Sequence, residues 1–361
     1  MPDRPTHCRA AILHELKKPL VLADIELPET LAPGQVLVRV DYSGVCGSQI
    51  GEIAGVKGHD PWLPHLLGHE GGGVVSEVGP GVKRMKPGDH VVLHWRKAAG
   101  IDAAPPKYRW DGRTVNAGFV TTFNRWAVVS ENRLTPIPKD FPLDIASFFG
   151  CPVTTGLGVI RNNARLTLGE SILIIGAGGV GLNIVQGAAM SGAHPVVAVD
   201  LFDSRLDLAE RMGATHRINT SDEDLAEAAK AACPAGYDVV VENTGNPAII
   251  RHAYDLTQPQ GRTILVGVPK AGADASLYTL PLHFGKVITG SFGGEAVPDR
   301  DIPQYLKLHA AGKLELEALA TDRYPLERIN DALDDLRSGK VAGRCVIHLD
   351  PEAAPETAGA P

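Results

Sequence analysis

The segment that most constrains the fold is Ser171-Ile-Leu-Ile-Ile-Gly-Ala-Gly-Gly-Val-Gly181, an unbroken apolar run that ends in a glycine-rich turn. A strand apolar at every position must be covered on both faces, which is the condition inside a parallel sheet. A helical stretch follows through Met190, and then a second apolar run, Pro195-Val-Val-Ala-Val-Asp200. Asp238-Val-Val-Val-Glu242 and Thr263-Ile-Leu-Val-Gly267 supply further strands, and helical segments run from Ser204 to Met212 and from Asp222 to Ala232. Strands alternating with helices over about 130 residues specify a doubly wound parallel sheet.

The turn itself carries chemistry. In the GxGxxG of Gly176, Gly178 and Gly181, the first glycine permits a tight turn and the second lets backbone approach a pyrophosphate. The third lets the helix pack closely on the strand. The amides of Gly178, Gly179 and Val180 open that helix, where backbone N–H groups hold an anion. Asp200 ends the next strand about 20 residues beyond Gly181, the position of a carboxylate that binds ribose hydroxyls and repels a 2′-phosphate. The cofactor expected is NAD rather than NADP.

The first 160 residues read differently. Short β-rich runs such as Gln35–Val40 and Gly73–Val78 alternate with Gly/Pro turns, and Pro87-Gly88-Asp89 feeds the run His90–Leu93. This pattern is that of an antiparallel, barrel-like domain. After Phe292 the chain is helical again, at Ile302 to Ala311 and Leu326 to Ser338, and Arg344–Leu349 forms a last strand able to return to the first domain. The tail from Pro351 to Pro361, rich in Ala, Pro and Glu, reads as disordered. The expected fold class is therefore α/β: a β-rich domain of residues 1–152 joined by 292–361, and a parallel-sheet domain of residues 153–291. There is no internal repeat.

Composition excludes several classes of function. With 44% hydrophobic and 21% charged residues, the 361-residue chain has the makings of a packed core. A net charge of −7 argues against a nucleic-acid binder that neutralises phosphates. No apolar run approaches the ~20 residues needed to span a bilayer. Met1–Pro5 lacks the apolar segment of a secretory signal. A cytoplasmic protein with neither nucleic-acid nor membrane partners is expected. Its five cysteines are too scattered for a disulfide framework.

Three residues, Cys46, His69 and Cys151, are candidate metal ligands, although their spacing alone does not connect them, and a free cysteine is often only a small buried hydrophobe. His65 and His69 stand four apart, but Pro64, Gly68 and Gly71–Gly73 make a helix there unfavourable, so His65 is read as a loop residue.

Taken in order, Gly44-Val-Cys-Gly-Ser48, Gly68-His-Glu-Gly71, Gly150-Cys151 with Thr155-Gly156, the glycine turn and Val266-Gly-Val268 resemble the motifs of the zinc-dependent medium-chain alcohol dehydrogenases. The resemblance runs over about residues 8 to 349. It implies a GroES-like catalytic domain beside a Rossmann domain, with zinc on Cys46, His69 and Cys151 and a fourth position left for water or substrate. It implies hydride transfer between NAD(H) and an alcohol, a polyol or the matching aldehyde or ketone, zinc polarising the substrate oxygen. Ser48 would begin proton transfer, and Glu70 would approach the metal during ligand exchange. Trp95 and Phe123 would line the substrate pocket, the backbone of Val266 and Val268 would meet the nicotinamide carboxamide, and Arg344 would contact the pyrophosphate. A homodimer or homotetramer would form through the strand around Ile288–Phe292.

The chain also departs from the family. Between His94 and Asn124 there is no cysteine, so the family's second, structural zinc cannot exist in its usual form. One zinc per subunit is expected, with that lobe held by packing of Trp95, Tyr108, Trp110 and Phe119. Gln49 replaces a common Asp beside the ligand histidine. Gly51 replaces the histidine of a proton relay, leaving the cofactor ribose, water or another base such as His59. Gly47 stands where some relatives carry a basic residue. Arg96, Lys97, Arg161 and Arg165 would favour a polar or anionic substrate if they reached the cleft, and are otherwise solvated surface. Two competing readings are a zinc-free quinone or enoyl reductase, which should have lost the ligands, and a non-catalytic dinucleotide-binding protein.

Overall fold

A computed structural model describes residues 4–350; the tail read as disordered lies outside them. The chain divides into two compact units. The first takes the chain up to Cys151, Val297–Lys307 and the chain from Ala320; the second takes Pro152–Ala296 and Leu308–Leu319. The sequence-based limits thus need correction at 292 and at 308–319. The latter segment belongs to the parallel-sheet unit, and its Leu314 and Leu316 are buried. Gln186 also clamps the backbone of Glu315 at both ends of its amide, accepting from the Glu315 N–H at 2.8 Å and donating to its carbonyl at 3.0 Å.

In the first unit a closed barrel runs in the order His7–Leu13, Val21–Glu26, Lys107–Trp110, Arg113–Asn116 and His65–Leu66. His65 is therefore in a two-residue strand, paired with Asn116, and not in a loop. A second sheet runs Leu134–Ile137, His90–His94, Glu70–Val78, Gln35–Gly44, Arg344–His348 and Ala320–Pro325, with Trp126–Ser130 also paired to Gln35–Gly44. The C-terminal strand does return to this domain, antiparallel to Tyr42–Gly44.

The lobe after His94 is held only partly as its aromatics suggest. Tyr108 is fully buried in the barrel core, its hydroxyl accepting from the Val128 N–H at 2.8 Å, and Trp110 packs against the same core. Phe119 instead stays 39% exposed beneath the Arg133 guanidinium. The loop around Ile101 is fastened by polar groups. The buried Glu131 carboxylate accepts from the N–H groups of Lys83 and Arg84, both at 2.9 Å, and of Ile101 at 2.8 Å. The Ser130 hydroxyl accepts from the Ala103 N–H at 2.9 Å, and Asn132 donates to Asp102 at 3.0 Å.

In the second unit six parallel strands lie in the order His216–Asn219, Val196–Asp200, Ile172–Ile175, Tyr237–Glu242, Thr257–Leu265 and Val287–Gly290. Ile172–Ile175 is buried at every residue, as its composition requires. Strand order reverses beside it, and ligands of such sheets bind at the carboxyl ends of the strands at that switch point. The turn Gly176–Gly178 sits there. Among the described residues no single helix is long and apolar enough to cross a membrane.

Candidate metal centre and dinucleotide site

Local structure delivers the three candidate ligands from separate turns of the first unit. Cys46 is the N-cap of helix Gly47–Ile53, His69 immediately precedes strand Glu70–Val78, and Cys151 follows the turn Ser147–Gly150. Their ligand atoms lie within 4.8 Å of one another. Tetrahedral zinc, with bonds of about 2.0–2.3 Å, spaces its ligands roughly 3.5–4 Å apart, so the cluster needs only a small contraction. The Cys151 thiol, hydrogen-bonded to the Cys46 sulfur, acts with the neighbouring His69 and Arg344 to outweigh burial and hold Cys46 well below the usual thiol range. The same pairing, together with burial, holds Cys151 well above it. The Nδ1 of His69 lies 2.5 Å from Gln49, and its buried Nε2 makes no hydrogen bond. A thiolate, a second sulfur and an orphaned imidazole nitrogen form a donor set suited to zinc.

Glu70 is fully buried next to this cluster and forms an ion pair with Arg344. Burial pushes its carboxyl up, and the Arg344 charge opposes that. The cysteine-motif glycines make room for it. A Cβ at Gly44 would stand 2.8 Å from the Glu70 carboxyl carbon, and one at Gly150 would stand 2.7 Å from its Cα. Arg344 is 4% exposed and its guanidinium forms an ion pair with Glu70, the residue beside His69. Ser48 is exposed in the first turn of the helix that Cys46 caps. Trp95 presents its ring edge to His69 at 6.5 Å. Phe123 is 0% exposed, inside the core with Leu93, Val91 and Ala127.

A cavity of about 740 Å³ opens onto the cluster, within the usual range for small-molecule sites. Its lining includes Gln49 and His69, together with Trp62, Leu67, Pro106 and Phe119. Trp62 is 66% exposed, an unusual position for so large an apolar ring. His59 also faces this space. Arg96 and Lys97 do not: Arg96 stacks on Trp95 and Lys97 pairs with Asp102 at 2.9 Å.

In the second unit Gly176 has φ +98°, which a side chain resists, and Gly178 caps helix Gly179–Met190 with no side-chain cap of its own. A Cβ at Gly181 would lie 1.9 Å from the Gly176 carbonyl oxygen, whereas a Cβ at Gly178 would meet nothing. The protein therefore needs glycine at 181 for its own packing, and leaves space at 178 that a phosphate can take. Asp200 is buried, its Oδ2 accepting from the Ala177 N–H at 2.8 Å and its Oδ1 from the Leu201 N–H at 2.8 Å, with Arg205 3.5 Å away. The carboxylate is thus tied to the glycine turn itself. Val266 and Val268 follow the carboxyl end of strand Thr257–Leu265, Val268 being exposed.

Comparison with known proteins agrees with this assembly. Residues 32–139 match the alcohol dehydrogenase GroES-like domain, and residues 179–311 match the zinc-binding dehydrogenase family. An S-(hydroxymethyl)glutathione dehydrogenase of Paracoccus denitrificans is 31% identical, over 94% of this chain and 99% of its own length. The chain belongs to the zinc-dependent medium-chain alcohol dehydrogenase family. As a member it is an oxidoreductase, and the zinc-free and non-catalytic readings are not favoured. Among solved structures, an alcohol dehydrogenase zinc-binding domain protein from Burkholderia ambifaria superposes with TM-score 0.87 at 32% identity, covering 95% of this chain and 99% of that one. Benzyl alcohol dehydrogenase from Acinetobacter calcoaceticus gives 0.85 at 29%, with the same coverage.

Proposed function

We propose that this protein is an NAD-dependent dehydrogenase of bulky, aromatic-type alcohols or their carbonyl partners, with one zinc per subunit on Cys46, His69 and Cys151. The observation that carries the reading is the convergence of those three ligand atoms within 4.8 Å beside a cavity of about 740 Å³. When bound, zinc supplies Lewis acidity at the substrate oxygen and NAD exchanges the hydride. The protein's own residues supply position and proton handling. The exposed Ser48 hydroxyl, two residues past the Cys46 ligand, accepts the alcohol proton as it releases its own. With Gly51 in place of a relay histidine, His59, which lines the cavity, is the side chain that can pass the proton on. Glu70 carries negative charge close to the metal while Arg344 keeps that charge compensated.

Substrate size follows from the cavity wall. Trp62, Leu67, Pro106 and Phe119 offer apolar and aromatic surface, and the arginine and lysine after Trp95 are turned to other partners. The benzyl alcohol dehydrogenase likeness supports that choice, whereas a polyol gains little from such a wall. At the cofactor site Gly176–Gly181 would hold the pyrophosphate and Asp200 the ribose, which selects NAD.

The assembly is a homodimer or a dimer of dimers. Strand Val287–Gly290 lies at the sheet edge with Val287 exposed, and Phe284 and Phe292 on either side are exposed too. Pairing with a second copy covers an edge of this kind. A cytoplasmic location suits five free cysteines, two of them ligands that must stay reduced. The test is NAD-linked turnover across ethanol, aryl alcohols and polyols, with NADP in parallel. The proposal predicts kcat/KM for benzyl-type alcohols at least tenfold above ethanol and sorbitol with NAD; equal or reversed ratios refute the substrate assignment.

A further inference from the structure

The hydrogen bonds around Gln49 fix where His69 carries its proton. Gln49 is 1% exposed and meets two groups. The Cys46 backbone N–H donates to its Oε1 at 2.8 Å, and its Nε2 lies 2.5 Å from His69 Nδ1. A backbone N–H can only donate, so it decides which end of the amide is the oxygen. The other end is an NH2, which also can only donate. His69 Nδ1 must then accept, since an imidazolium would set two donors face to face. A neutral imidazole that accepts at Nδ1 carries its proton on Nε2. Nε2 is the buried nitrogen left for the two cysteines, and a metal needs its lone pair.

We propose that Gln49 holds metal-free His69 in the Nε2-protonated tautomer, so that loading a divalent cation requires the Gln49 amide to turn over. This rests on the three-ligand reading above. In the loaded state the proton moves from Nε2 to Nδ1 and is donated to the reversed Oε1. The Cys46 N–H then faces an NH2 and loses its acceptor, a cost charged against metal affinity. A carboxylate at this position would accept from the Cys46 N–H and from Nδ1–H at once, with no such conflict. Glutamate has the length and shape of glutamine, so Gln49→Glu changes only donor and acceptor character plus charge. Gln49 acts through His69 and is a positioning residue.

The expected effect of Gln49→Glu is zinc binding tighter by about 10–100-fold, the range typical of partners behind a ligand histidine. Gln49→Met removes both amide groups at similar length; it releases the tautomer and does not weaken binding, whereas loss of an ordinary supporting partner would weaken it by a similar factor. Two measurements on the full-length protein decide. Nitrogen-15 spectra of histidine-labelled, metal-free protein read the His69 tautomer, and competition with a chromogenic chelator reads zinc affinity. Support is an Nε2–H tautomer in the wild type, an Nδ1–H tautomer in Gln49→Glu, and the stated affinity order. An Nδ1–H tautomer in the metal-free wild type overturns the proposal, as does equal affinity in the glutamate variant or weaker binding in the methionine variant. If no variant binds zinc at all, the three-ligand reading fails, and the tautomer still decides the role of Gln49.

Discussion

Glu131→Gln is the substitution that probes how the cysteine-free lobe after His94 is closed. The carboxylate is 2% exposed and takes three backbone amides, two on Oε1 and one on Oε2. Glutamine can keep Oε1 on Lys83 and Arg84, but then turns an NH2 toward the Ile101 N–H. One amide loses its acceptor, at about 1–3 kcal/mol, and two charge-assisted bonds become neutral, at roughly 0.5–1 kcal/mol each. The expected loss is about 2–5 kcal/mol at pH 7. The pH dependence has a definite sign. Burial by itself would raise the Glu131 carboxyl, but the amides of Ile101, Arg84 and Lys83 outweigh it and hold it below the ordinary value. Its stabilisation is thus complete above the unfolded value, about 4.3, and is lost as pH falls through the lower folded value. The gap between wild type and variant must narrow under acid. All four tryptophans, at 62, 95, 110 and 126, lie in the first unit, so their fluorescence during urea unfolding reports it directly. A gap below about 1 kcal/mol at pH 7, or one that stays constant as pH falls from 7 to about 3, refutes the reasoning.

Three further outcomes follow from the geometry. Gly178→Ala meets no protein atom, so it should leave the melting temperature unchanged while weakening NADH binding by roughly tenfold or more, measured by cofactor fluorescence titration; an unchanged Kd removes the phosphate from that turn. Asp200→Ser should relax the preference for NAD over NADP by roughly tenfold in kcat/KM, and unchanged discrimination would show that the carboxylate does not read the ribose. Phe123→Ala should cost about 3–5 kcal/mol of stability, as a buried core ring does; a change in KM with stability intact would restore it to the substrate pocket.

The parallel-sheet unit was the more legible half because its rules are local. An all-apolar strand such as Ile172–Ile175 can only be interior, and the glycines that follow it are needed for contacts a few residues away, as Gly181 against Gly176 shows. The metal cluster was legible only through resemblance, since Cys46, His69 and Cys151 come together by tertiary folding that no spacing encodes. The neighbours of Arg344 and Phe123 were hidden for a related reason. A matched position conveys a residue's neighbourhood but not its partner, and here Arg344 pairs with Glu70 while Phe123 is interior. Glu131 gave no signal at all: a lone acidic residue after a strand looks solvated until the loop carrying Ile101 folds onto it. The assignment of 308–319 failed likewise, because the Gln186–Glu315 clamp joins residues far apart in the chain.

The central claim is a single three-ligand metal centre, and zinc content per chain tests it most directly. Elemental analysis should give about one zinc in the wild type and none in Cys46→Ser. The variant should keep its near-ultraviolet circular dichroism and its NADH binding while losing alcohol turnover. A folded wild-type protein that contains no zinc and oxidises alcohols undiminished in the presence of a strong chelator would contradict the account.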